Sequence, residues 1–477
     1  MTHDTFADNH WPADVIQENL RQRLQPFNQQ HLLAFWEQLS ESQQRRLAHQ
    51  IQKIDFQLMQ QLSGDVFQQQ DWADLATRAE SPEAITLADF ADAESYQQAV
   101  FQGSEVLRGG KVAMILVAGG QGSRLGFEAP KGIYPIGPLS HRSLFQMFID
   151  HVAARGQQFG KPIPLFIMTS PATDEQTRAH FHENGYLGMD PQQIHFFCQG
   201  SMPALDDEGK LILEHPDQIF LSPDGHGGML AALQHSGGLQ KLVEMGIEQI
   251  FYAQVDNPLV QVCHPALIGY HILRHSEMTT QVVRKQDPLQ KVGNVVVVDG
   301  VNQVIEYSDL PEPQARLTNP DGSLKLWAGS IAVHLFETQF LVRCSDQADS
   351  LPFHQARKKV ACIDASGSRI EPDSPNAIKF EKFIFDLLPL AKRGIVLEVD
   401  PAEGFCAVKN APPAASETPD HVKQAISDLH RRWLIQAGAI VEENVRIEIN
   451  PKFAIDADEL ATKIQSGCLI DKDTYFH

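Results

Sequence analysis

The run VAMILVA (112–118) stops abruptly at Gly119, Gly120 and Gly122, followed by Ser123, Arg124, Pro130 and Lys131. So short and unbroken an apolar run suits a strand buried on both faces of a parallel sheet. Glycines at its end let the backbone approach a triphosphate closely and turn N–H groups inward around it. Arg124 adds a planar fork of donors, and Lys131 a mobile point charge. Pro130 fixes the backbone before Lys131 and lowers the entropy lost when that ammonium is positioned. Two other phosphate loops are excluded. No glycine here precedes a Lys-Ser or Lys-Thr pair, as a P-loop requires. In the dinucleotide fingerprint the third glycine would fall at 125, and Gly126 comes one residue late.

The same kind of run recurs as PLFIMTS (164–170), QIFYAQV (249–255) and GIVLEV (394–399). Helix-like stretches such as SLFQMFIDHVAARGQQF and GLQKLVEMG lie between the earlier ones, so the alternation predicts an α/β domain with a mainly parallel sheet. NVVVV and VNQVIEY flank Asp299-Gly300, a strong hairpin signal. Residues 11 to about 78 carry apolar positions at helical spacing, among them Leu32, Phe35, Trp36, Leu39, Leu47, Ile51, Ile54 and Leu58. Ser40 with Gln43 forms a capping-box pattern that divides two helices. Residues 63–110 are expected to link this layer to the core. The Pro-rich loop 411–420 precedes an amphipathic helix entering a small terminal subdomain. A chain of 477 residues exceeds one ordinary core, and the expected division is 1–100 helical, 101–400 catalytic and 401–477 small C-terminal.

Composition narrows the function. Sixty acidic against 39 basic residues give a net charge of −21, which argues against a general nucleic-acid or anionic-membrane surface. No apolar stretch reaches 18 residues, so no membrane span is expected. The N-terminal MTHDTFADNHWPADV resembles no secretory signal. Cys198, Cys263, Cys344, Cys362, Cys406 and Cys468 are scattered, which predicts reduced thiols in a cytoplasmic setting. H-E-x-x-H is absent, and His180 and His182 are expected on a solvated helix face. Asp256, in QVDN after an apolar run, either caps a turn with Asn257 or holds a hard cation such as Mg²⁺ against phosphate oxygens.

Taken together, L-x-A-G-G-Q-G-S-R-L-G with P-K-G resembles the signature of eukaryotic-type UDP-sugar pyrophosphorylases, and most resembles the UDP-N-acetylhexosamine enzymes. The similarity continues in order through FFCQGSMPALDDEGKLIL, LSPDGHGGMLAAL, VDNPLV, KVGNVVVVDG, VIEYSDL, AGSIAVHLF, IKFEKFIFD and FCAVKNA, covering roughly 100–440. The resemblance implies a Rossmann-like nucleotidyltransferase domain flanked by a helical N-terminal domain and a small C-terminal α+β domain. It implies transfer of a uridylyl group from UTP to a sugar 1-phosphate with Mg²⁺, or Mn²⁺ in its place, and assigns Asp256 to the metal. Arg124 and Lys131 would stabilise the leaving pyrophosphate and Lys409 the transferring phosphate, while Gly119, Gly120 and Gly122 hold the nucleotide. Gln199, Met202, Pro203, Gly225 and His226 match the nucleotide-contacting positions; Gly293, Glu306, Ser330, Lys379 and Phe383 match the sugar pocket. The sequence assigns no oligomeric state.

Two motifs depart from the N-acetylhexosamine pattern. P-D-G-N-G-G carries His226 in place of Asn, and A-G-N-I-A-N-H carries Ser330 and Val333 in place of Asn. The resemblance of the surrounding sequence makes N-acetylglucosamine 1-phosphate the expected substrate, and both changes, falling at the expected sugar, make a glucose or broad-specificity enzyme the alternative. A catalytically silent UDP-sugar-binding protein would be expected to lose at least one of Arg124, Lys131, Asp256 and Lys409, and all four are present.

Overall fold

The computed structural model describes residues 12–64, 71–346 and 351–477. Their contacts divide into two compact units, each discontinuous in sequence. One takes its described residues from Met1–Gln70, Gly200–Gly227 and Pro352–Phe383; the other takes them from Asp71–Gln199, Gly228–Leu351 and Ile384–His477. The expected boundaries near 100 and 400 both fall inside the second unit.

The first, helical unit begins with α1 (Ala13–Leu24), α2 (Glu41–Lys53) and α3 (Phe56–Ser63). Gln43 accepts the Ser40 backbone N–H at 3.0 Å, the expected cap of α2. The residues before Ser40 differ from expectation. They form short 3₁₀ turns, Gln30–Leu33 and Trp36–Gln38, because Asn28 has already turned left-handed (φ 56°) and ended the preceding helical segment. Their apolar side chains are buried all the same. Leu32, Trp36, Leu47 and Ile51 share a core with Leu205, Leu211, Ile219 and Phe380, and that shared core makes the unit discontinuous. The buried Gln29 amide reinforces it, donating to the Gly209 carbonyl at 2.7 Å and accepting from Leu211 N–H at 2.9 Å.

The second unit is built on a ten-stranded sheet. Its strands are β1 (Ala84–Ile85), β2 (Val112–Val117), β3 (Leu165–Thr169), β4 (Ile194–Cys198), β5 (Gln249–Gln254), β6 (Met278–Arg284), β7 (Gly293–Val298), β8 (Val301–Ile305), β9 (Ala328–Glu337) and β10 (Gly394–Glu398). The spatial order is β1-β10-β6-β9-β5-β2-β3-β4, with the β7–β8 hairpin attached to β9. All neighbours on this path are parallel except β9, which runs antiparallel to both β5 and β6. From β2 the chain goes outward to β3 and β4, then returns to β5 on the other side of β2. The carboxyl ends of β2 and β5 therefore flank a topological switch point, where α/β sheets bind ligands.

Residues 63–110, expected as a linker, contribute α4 (Trp72–Arg78), the edge strand β1 and a sixteen-residue helix, α5 (Ala93–Arg108). The α5 helix buries Ala99, Gly103 and Leu107 in the sheet core. The amphipathic helix predicted after the Pro-rich loop spans Pro419–Gln436 and packs on a separate cluster of Ala439, Val445, Ile447, Ile449 and Leu460. No helix among the described residues is long and apolar enough to cross a membrane.

Candidate functional site

In the sheet unit the glycine loop leaves the end of β2. Ser170, just past β3, holds it from one side, its hydroxyl donating to the Gly119 carbonyl at 2.7 Å. The Gln199 side-chain oxygen lies only 2.7 Å from where a Cβ on Gly119 would stand, so the glycine lets that amide come close to the loop. The loop then closes on itself. Lys131 N–H donates to the Gly120 carbonyl at 3.0 Å, and Gly122 N–H to that of Ala129 at 2.8 Å. Arg124 sits exposed on the 3₁₀ turn Ser123–Leu125.

The end of β5 lies against the loop. Lys131 Nζ stands 3.7 Å from Asp256 Oδ2, with both side chains largely shielded. The same ammonium lies 3.4 Å from the Val408 carbonyl. Val408 N–H in turn donates to the Asp256 carbonyl at 2.8 Å, and Ala411 N–H to that of Arg124 at 3.0 Å. Three chain segments far apart in sequence, 119–131, 254–257 and 404–411, are thereby tied into one wall carrying Arg124, Lys131, Asp256 and Lys409. Lys409 Nζ pairs with Glu417 Oε1 at 3.2 Å, and both side chains are about one-third exposed.

The sugar-pocket candidates of this unit also converge. Gly293 on β7 faces Ser330 on β9 in register, and the Glu306 carboxylate lies against Gly293, 3.3 Å from its would-be Cβ. Ser330 is buried, and its hydroxyl accepts from Ala332 N–H at 3.4 Å. Beside them is a residue the sequence did not single out. Lys285 is only 4% exposed, and burial pushes its ammonium down to about 8, with Asp287 acting in the opposite sense. Its Nζ donates to Asn294 Oδ1, next to Gly293, and to the Pro288 carbonyl. Directly following β6, Lys285 has no sequence signal that separates it from surface charge.

The helical unit holds the remaining candidates. Ser201–Pro203, carrying Met202 and Pro203, pairs antiparallel with Leu221–Pro223. The Asp224–Gly227 turn that follows is welded to 382–383: Lys382 N–H donates to the Asp224 carbonyl at 2.7 Å, and Gly227 N–H to the Lys382 carbonyl at 2.8 Å. Gly225 has φ +85°, and a Cβ there would meet the Lys382 carbonyl oxygen at 2.4 Å, so only glycine fits. His226 stacks on Phe383 with centroids 5.2 Å apart and planes 29° apart. Burial, and secondarily His354, lower its imidazole to about 4, so it is neutral at physiological pH. His354, also missed in the sequence, packs on Phe383 with ring centroids 4.4 Å apart. Lys379 directs its ammonium over the Phe220 ring at 4.7 Å, and burial is the main cause lowering its pKa.

Comparison with known proteins gives the family. The family model described as UTP–glucose-1-phosphate uridylyltransferase matches residues 56–446. The UDP-N-acetylglucosamine pyrophosphorylase of Saccharomyces cerevisiae is 38% identical over 385 residues, 78% of this chain and 80% of that protein. UDP-N-acetylhexosamine pyrophosphorylase-like protein 1 of Homo sapiens is 35% identical over 437 residues, 89% of this chain and 86% of that protein. The solved uridine diphosphate N-acetylglucosamine pyrophosphorylase from Trypanosoma brucei superposes with a TM-score of 0.80 at 27% identity, covering 94% of each chain. The chain therefore belongs to the UTP–glucose-1-phosphate uridylyltransferase family and is a nucleotidyltransferase.

Proposed function

We propose that this protein makes UDP-N-acetylglucosamine and pyrophosphate from UTP and N-acetylglucosamine 1-phosphate. The observation that carries this reading is the wall in which Lys131, Asp256 and the Lys409 segment meet at the sheet's switch point. A phosphate oxygen of the sugar attacks the α-phosphorus of UTP, the bond from that phosphorus to its bridging oxygen breaks, and pyrophosphate leaves with the electron pair. The attacking oxygen is already anionic, so the step calls for no general base. What it needs is placement and charge neutralisation.

Arg124 and Lys131 neutralise the departing pyrophosphate, and Lys409 neutralises the phosphate being transferred. Gln199 offers an amide to the pyrimidine edge, and Met202 and Pro203 cover its face. Glu306 accepts sugar hydroxyls, with Gly293 and Ser330 framing that subsite. Asp256 is the metal ligand. A single carboxylate beside the phosphate-loop cation suits Mg²⁺, usually held by one or two carboxylates and substrate phosphates. When bound, the ion offsets phosphate charge. Scattered cysteines support a cytoplasmic setting.

A glucose or broad-specificity enzyme is the second reading, favoured by the His226–Phe383 stack and the small Ser330. Measuring pyrophosphate release from UTP and Mg²⁺ with a panel of sugar 1-phosphates decides between them. N-acetylglucosamine 1-phosphate is expected to give the highest kcat/KM, and use of glucose 1-phosphate alone would overturn the first reading.

A further inference from the structure

Asn257 follows the candidate metal ligand directly, and its side chain is 2% exposed. Both ends of its amide are used on one short segment. Nδ2 donates to the Gly404 carbonyl at 2.9 Å, and Oδ1 accepts from Cys406 N–H at 3.0 Å. The amide's orientation follows from these partners, because a carbonyl can only accept and a backbone N–H can only donate. Two residues on, Val408 N–H donates to the Asp256 carbonyl and the Val408 carbonyl meets Lys131 Nζ. The next residue is Lys409. One buried amide thus anchors the base of the segment that presents Lys409, and does so beside Asp256 and Lys131.

We infer that Asn257 is a positioning residue, fixing where the Lys409 ammonium stands relative to Asp256 and Lys131. The inference rests on the role proposed for Lys409. Its physical basis is that a buried amide with both halves bonded holds a backbone in one place, and that misplacing a charge by about 1 Å can cost about 10²-fold in rate. Asn257→Ala removes both bonds. Asn257→Asp keeps the acceptor for Cys406 N–H but sets a carboxylate against the Gly404 carbonyl.

A double-mutant cycle tests this, measuring pyrophosphate release for wild type, Asn257→Ala, Asn257→Asp, Lys409→Ala and Asn257→Ala/Lys409→Ala. Melting temperature and Mg²⁺ titration are recorded for each. Asn257→Ala should lower kcat about 10- to 100-fold, with UTP KM and the Mg²⁺ midpoint near wild type. In the Lys409→Ala background the same change should cost less than about threefold, because residues acting through one another are non-additive. Additive losses, or wild-type kcat in folded Asn257→Ala, would overturn the inference while leaving the role of Lys409 intact. If Asn257→Ala does not fold, Asn257→Asp takes its place in the cycle. Wild-type activity in Lys409→Ala would overturn the reading of Lys409, and the inference with it.

Discussion

Lys131 is the residue on which most of the proposed chemistry turns, since one ammonium lies against both the Asp256 carboxylate, the proposed metal ligand, and the Val408 carbonyl. Arg124 reaches the same wall through its backbone and leaves its guanidinium exposed. Arg124→Ala and Lys131→Ala should each lower kcat by about 10²–10³, the scale of losing one electrostatic contact to developing charge. Wild-type turnover in either folded variant would remove that residue from the mechanism. Asp256→Asn keeps the shape of the side chain and removes its charge. The protein should fold, and its demand for Mg²⁺ should rise sharply; an unchanged Mg²⁺ titration would make Asp256 a turn residue only. His226 is held neutral and flat against Phe383, so it acts through bulk rather than charge. His226→Asn should free space and shift the kcat/KM ratio of N-acetylglucosamine to glucose 1-phosphate upward by about tenfold, within the 1–3 kcal/mol that small pocket changes supply. An unmoved ratio would show that His226 does not set sugar choice.

At the level of elements, α5 and α6 (Pro265–Leu273) cross without room for side chains. A Cβ on Gly103 would lie 1.9 Å from the Pro265 carbonyl oxygen, and one on Gly269 would lie 1.7 Å from that of Ala99. Backbone cannot yield as a flexible side chain can, so Gly103→Ala should cost at least about 3 kcal/mol, the upper end of overpacking penalties. A melting temperature unchanged from wild type would contradict this packing. The strands divide by how their burial is achieved. β2, β3, β5 and β10 bury apolar runs and are legible as such. The Asp299-Gly300 hairpin is legible as well, with both turn residues at positive φ (53° and 82°). β6 reads as MTTQVVR and gives no apolar run, yet six of its seven residues are buried. Its threonines are satisfied by buried histidines: Thr279 Oγ1 lies 2.7 Å from His271 Nδ1, and Thr280 Oγ1 lies 3.2 Å from His334 Nδ1. Such pairing exists only once the sheet is assembled. The antiparallel direction of β9 is likewise a property of its neighbours rather than of its residues.

Across the whole molecule, burial also governs the response to acid. His151 is lowered to about 4, and His264, His271 and His430 to about 3, in each case chiefly by burial. An unfolded histidine takes up its proton near 6.5. The stability these groups contribute is therefore present above about pH 6.5 and is lost as pH falls toward 3–4, because the unfolded chain binds protons that the folded chain does not. At pH 5 this amounts to about 1–2 kcal/mol for each histidine. Melting temperature should fall steadily from pH 7 to pH 5, and a flat profile would show that these imidazoles are not held neutral. The sequence by itself determined what depends on local geometry and residue type: the glycine loop with its cations, the buried strand runs, the tight hairpin turn and the α2 cap. The tertiary structure alone decided which distant segments share a core, as Leu32 and Trp36 do with Phe380. It alone brought the segment bearing Lys409 against Asp256 and Lys131, and closed the Asn257 amide on Gly404 and Cys406. Contacts between segments so far apart in the chain arise from packing and from hydrogen bonds to backbone groups that nearly every residue carries, so the partner's identity leaves no pattern from which to predict them.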